Sequence, residues 1–254
     1  MKKILTQVIK QVTRVSAIEY LMIEQTESET YFKAFCTRKR VFFLASTPRI
    51  EELEANACLA NLSFLSRLFA MGQFADDDST MEMRYRNDNA GNNALEKIIF
   101  KGKSAVVEYP AMDAAMTGLK MPTGINVVLP VTVEVSADMC DEIKSMSNLQ
   151  NIMMRSSGIK NEEARVSLKK ENNIVTAEFE YPRSNTVLTL DDNNVGDDIN
   201  IPLPLNTADF QLCAELIRAN EGGTIKFGSS AMQVEFNSDE VEYKVMVRRI
   251  QERI

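Results

Sequence analysis

The chain has 254 residues, of which 44% are apolar, and it carries 36 acidic and 29 basic side chains for a formal charge of -7. That length fits one large domain or two of roughly 125 residues. Seven prolines and ten glycines exclude a collagen-like or linker-rich molecule, and no apolar run approaches the roughly 18 residues of a spanning helix. The net acidity weighs against nonspecific wrapping of nucleic acid over the whole surface, while leaving room for a local phosphate-facing patch.

Histidine is absent, which removes the commonest general base and most catalytic zinc arrangements. The four cysteines, Cys36, Cys58, Cys140 and Cys213, are too widely spaced for a zinc knuckle or a redox pair, so free thiols in a reducing compartment are expected. Asp76-Asp77-Asp78 and Asp191-Asp192 lack regularly spaced further ligands and read as turns. No catalysis, metal or cofactor is expected.

In chain order, the first element is an amphipathic helix over Leu5 to Ile18, with Leu5, Val8, Ile9, Val12, Val15 and Ile18 on one side and a basic opposite face. Gln7, Lys10, Gln11 and Arg14 interrupt any signal-peptide core, so this helix is expected in the mature chain. Its β-branched content keeps a strand reading open for part of it.

Short strands follow at Tyr20–Ile23, Thr30–Cys36 and Arg40–Leu44. A second helix is expected over Leu59–Ala70, capped at Asn56, with Leu59, Leu62, Leu65, Leu68 and Phe69 facing inward. Strands at Met81–Tyr85, Glu96–Phe100 and Ala105–Tyr109 come next, the first two joined by a hairpin loop over Asn87–Asn93. From Pro110 to Thr123 the pattern dissolves into Ala, Met, Gly and Pro, the best linker in the chain.

The second half opens on a strand over Asn126–Val135, then a helix capped by Ser136 with Met139, Ile143, Met146 and Leu149 on one face. Strands follow at Ala164–Lys169, Ile174–Phe179 and Thr186–Leu190. The run Ile199–Leu205 leads to a helix start at Asn206 or Thr207, a helix over Ala208–Arg218, and strands at Thr224–Phe227, Ala231–Phe236 and Val241–Val247. The result is about four β-α-β-β-β units, two on each side of the linker.

That arrangement, with the early helix, the helix Leu59–Ala70, the linker, the segment Ser136-Ala-Asp-Met-Cys-Asp-Glu-Ile143 and the segment Ile201-Pro-Leu-Pro-Leu-Asn-Thr-Ala-Asp-Phe210, resembles the DNA sliding clamps, most closely those of T4-like bacteriophages. The resemblance implies an α+β clamp fold: an N-terminal domain at 1–110, a connector at 111–125 and a C-terminal domain at 126–254. Helices would line a ring and sheets would face outward. Clamps of the phage, archaeal and eukaryotic type are trimers of two-domain subunits and bacterial ones dimers of three-domain subunits, so a homotrimer is expected.

The implied function is non-catalytic: encirclement of double-stranded DNA without sequence preference, tethering a DNA polymerase and engaging a clamp loader, in the cytoplasm of a phage-infected bacterial cell and away from membrane. Weak contact to many phosphates suits sliding, which directs attention to Lys3, Lys10, Arg14, Arg67, Lys144 and Arg218 on the helices. Glu215 departs from a purely basic lining. A partner peptide is expected near the linker, with Met112, Met116, Leu119 and Met121 at the rim and Val127 and Leu203 toward the floor; a core role is an equal expectation for each. The competing expectation is a phage structural or scaffold ring that does not encircle DNA.

Overall fold

A computed structural model describes residues 1–15, 18–36, 40–75, 78–87, 93–112, 127–160, 163–181, 184–196 and 198–250. The chain divides into two compact units, Met1–Thr123 with Ser238–Glu242, and Gly124–Asn237 with Tyr243–Ile254.

In the first unit, α1 (Lys2–Val12) buries Leu5, Val8, Ile9 and Val12. Burial of each such side chain is worth about 1.5–3 kcal/mol. That outweighs the few tenths of a kcal/mol, roughly, by which each β-branched residue weakens a helix. The helix expected over Leu5–Ile18 therefore forms, but it starts at Lys2 and stops at Val12. The Thr13 hydroxyl bonds back to the Ile9 carbonyl (2.7 Å), Thr13 and Arg14 form a turn, and Ile18 sits in an isolated bridge with Cys36.

Then come β1 (Tyr20–Gln25), β2 (Glu29–Phe35), β3 (Val41–Pro48), β4 (Ala57–Ala60), α2 (Leu62–Ala70), the single turn α3 (Gly72–Ala75), β5 (Thr80–Asn87), β6 (Asn93–Lys101) and β7 (Val106–Pro110). They form one sheet with consecutive strands β4-β1-β2-β3 and another with order β5-β6-β7. Asn56 does not cap α2. Its Oδ1 accepts from the Gln25 N–H (3.0 Å), Leu59 is in β4, and the N-cap is Asn61 in the left-handed region at φ 50. An apolar run of strand followed by helix reads from sequence as one helix; only pairing of β4 with β1, Leu59 opposite Leu21, separates them.

The second unit contains β8 (Val131–Val135), α4 (Ala137–Ser156), β9 (Arg165–Glu171), β10 (Ile174–Glu180), β11 (Asn185–Asp191), β12 (Ile199–Asn206), α5 (Thr207–Ala219), β13 (Gly223–Phe227), β14 (Ala231–Ser238) and β15 (Val241–Arg248). Residues 127–130 are outside the strand expected over Asn126–Val135. Ser136 caps α4 as expected, its Oγ accepting from the Met139 N–H (3.2 Å), and Asn206 caps α5 through the Ala208 N–H (3.1 Å).

The leading strands are exchanged between copies. β8, before α4, pairs with β13, after α5; β12, before α5, pairs with β9, after α4. In the first unit β4, before α2, pairs with β1, after α1. Each copy thus supplies the edge that its neighbour needs to satisfy backbone groups. The first copy runs α1-β1-β2-β3, without the leading strand of the other three. Pro202 and Pro204 are accommodated because β12 is the edge of its sheet, with a register shift between Ile199 and Leu203.

The buried face of α4 differs from the expected one. Cys140, Ile143, Ser147, Gln150 and Met154 are buried, whereas Leu149 is exposed and Met139 and Met146 are intermediate. Two polar side chains take core positions because partners await them. Gln150 Nε2 donates to the carbonyls of Arg165 (2.7 Å) and Glu180 (2.8 Å), and the Thr207 hydroxyl donates to its Oε1 (2.6 Å). On α5 the expected apolar face holds: Phe210, Cys213, Ala214 and Ile217 are all buried.

Candidate nucleic-acid interface

In the first unit α1 packs against α2. Neither helix contains an acidic residue; α1 carries Lys2, Lys3 and Lys10, and α2 carries Arg67. Lys10 and Arg67 lie in the last turns, where a cation complements the helix dipole. Arg14 is just past the end of α1. Lys10, Arg14 and Arg67 are exposed and make no ion pair among the described residues. Lys3 is different: its ammonium lies 3.1 Å from Asp239, which also accepts from the Gln7 amide. Lys3 first, then Gln7, hold the Asp239 carboxyl below the usual carboxylate range.

In the second unit α4 packs against α5. Here acids outnumber bases: Asp138, Asp141, Glu142, Asp209 and Glu215 against Lys144, Arg155 and Arg218. Arg218 Nε lies 3.2 Å from both carboxylate oxygens of Asp141, and this contact raises the pKa of the guanidinium above its ordinary value. Lys144 lies 3.9 Å from Glu215, whose Oε1 accepts from Gln211 (3.1 Å). Glu215 thus faces Lys144 across the helix pair, and the partner of Arg218 is Asp141. Sequence reading missed Asp141 and Asp239 in these roles. Each pairs with a residue distant in the chain, 77 positions away for Asp141 and Arg218, and no local pattern announces such a pair.

The residues expected around a peptide pocket separate by environment. Met112 is half-buried; its N–H donates to the Cys58 carbonyl (2.8 Å), and it borders an open groove of about 710 Å³ with Gln25, Arg49, Asn56 and Leu95. Val127 is half-buried in irregular chain. Leu203 is fully buried in β12 opposite Leu168 and offers no surface to an incoming chain. Met116, Leu119 and Met121 lie outside the described residues. Among the described residues, no group of three or more His, Cys, Asp or Glu side chains is placed to hold a metal ion, and no helix is long and apolar enough to cross a membrane.

The architecture of four related copies, helices paired within each unit and strands exchanged between copies, is the sliding-clamp fold. Solved structures share it over the whole chain. A PCNA of A. fulgidus, bound to the C-terminal region of FEN-1, superposes with a TM-score of 0.68 at 11% identity, covering 98% of this chain and 97% of its own. The proliferating cellular nuclear antigen of Entamoeba histolytica gives 0.67 at 9% identity, over 97% and 95%. The DNA polymerase III subunit beta of Pseudomonas aeruginosa gives 0.68 at 9% identity, covering 100% of this chain but 64% of its own. No sequence-family model matches the chain, nor does any curated protein. At such identities the likeness speaks for fold.

Proposed function

We propose that the protein is a non-catalytic DNA sliding clamp: a ring that encircles duplex DNA without sequence preference and tethers a replicative DNA polymerase. The observation that carries this reading is coverage. The fold matches PCNA chains over 97–98% of this chain and 95–97% of theirs. The division into two compact units supports a two-domain subunit, and with it a ring of three. A ring also accounts for the edge strands, since pairing between copies would remove exposed edges.

The finer reading is a T4-like phage clamp, opened by a clamp loader and working in the cytoplasm of the infected cell. Its support is the set of sequence segments that resemble that group. We place the interdomain connector at 111–125, between domains at 1–110 and 126–254. Met112 and Val127 are proposed to contact partner peptides together with Met116, Leu119 and Met121. The bound FEN-1 terminus in the A. fulgidus structure supports a docking role for a partner's chain end.

The test is topological. Protein loaded on nicked circular duplex with its polymerase and loader should remain bound through gel filtration, and should dissociate when the circle is cut. Retention on the linear product would refute encirclement. Sedimentation equilibrium should give about three times the 28.6 kDa chain mass.

A further inference from the structure

The two helix pairs carry different kinds of surface, and the difference exceeds what helix stability requires. A helix dipole favours acids in the first turn and bases in the last. α4 and α5 follow the rule at both ends, with Asp138 and Asp209 first and Arg155 and Arg218 last. α1 and α2 follow it only at the basic end, with no acid in the first turn or anywhere else. In a chain of net charge -7, an acid-free pair of helices bearing four cations stands apart.

Resting on the clamp reading, we infer that duplex contact is lopsided within each subunit: phosphates are held by Lys10, Arg14 and Arg67 of the first unit, while the second unit meets DNA with an electrically neutralised surface. Ion pairs are what neutralise it. Arg218 and Asp141 are both about half exposed, at 52% and 56%, so the pair adds little net stability and the guanidinium is free to swing away. Turning it to a phosphate, however, leaves the Asp141 carboxylate bare beside the same backbone. The local charge stays near zero, and no counterion is released in net terms. Lys144 and Glu215, at 53% and 47% exposure, stand in the same relation. Lys3 is likewise balanced by Asp239. Lys10, Arg14 and Arg67 have no such counterweight among the described residues, so each adds an uncompensated positive charge.

The experiment is equilibrium binding of the full-length protein to a short fluorescent duplex by anisotropy, across a salt series. The triple variant Lys10→Ala, Arg14→Ala, Arg67→Ala should flatten the plot of log K against log salt by about 0.9 for each phosphate that is no longer neutralised. Asp141→Asn should do the opposite, tightening binding and steepening the slope by about 0.9, because Arg218 is released from its carboxylate. Thermal melts establish that both variants are folded. An unaltered slope in the folded triple variant, or no gain from Asp141→Asn, overturns the inference. The cut-circle assay on wild-type protein separates this failure from that of the underlying reading. Trapping on closed circles with unchanged slopes refutes only the lopsided grip; absence of trapping refutes encirclement and the inference with it.

Discussion

Replacing Gln150 by leucine tests whether the polar heart of the second unit holds its helices to its sheet. The side chain is fully buried on α4, and its three hydrogen bonds reach β9 at Arg165, β10 at Glu180 and α5 at Thr207, with lengths of 2.6–2.8 Å. Leucine has similar volume, so packing is largely conserved and the loss is polar. Two carbonyls and one hydroxyl remain in a dry environment without this partner, at about 1 kcal/mol or more each, giving about 3 kcal/mol in all. Urea denaturation followed by circular dichroism should show the midpoint falling with little change in m. A double-mutant cycle with Thr207→Val should give a coupling of about 1 kcal/mol, since those two side chains share one bond. A loss below about 1 kcal/mol for Gln150→Leu would refute this account, because it would mean that water or backbone relaxation satisfies the three groups without glutamine.

All four cysteines are buried, so a thiol reagent should label the native protein far more slowly than the denatured one, which should release four equivalents. Burial pushes the Cys140 thiol up to about 11, and raises Cys213 further. A raised pKa contributes stability that is fully present below the unfolded value of about 8.5. That contribution is lost as pH rises through about 11 for Cys140. Stability measured by urea midpoint should therefore decline over the alkaline limb, and Cys140→Ala should make that decline shallower. Gly223→Ala should destabilise by about 1–3 kcal/mol. A Cβ there would sit 2.6 Å from the Glu235 carbonyl of the adjacent strand, and backbone cannot yield as a side-chain end does. A melting temperature equal to wild type would show that β13 and β14 part more readily than their pairing suggests.

Local patterning in the sequence determined the repeated helix-and-strand order, most strand positions, the cap at Ser136, the start of α5 to within Asn206 or Thr207, and the buried face of α5. These follow from side-chain period and from short-range hydrogen bonding, which neighbouring residues settle among themselves. Tertiary structure alone decided the exchanged strands, and with them the boundary between β4 and α2. It also decided that Gln150 rather than Leu149 faces the core, since the carbonyls it satisfies lie 15 and 30 residues away. The charge surface divides in the same way. That α1 and α2 lack acids is written in the chain. That Arg218 is balanced by Asp141, and Lys3 by Asp239, is fixed only when elements far apart in sequence pack together. An exposed cation carries no local signature of its partner, because a charge interacts with whatever the fold sets beside it.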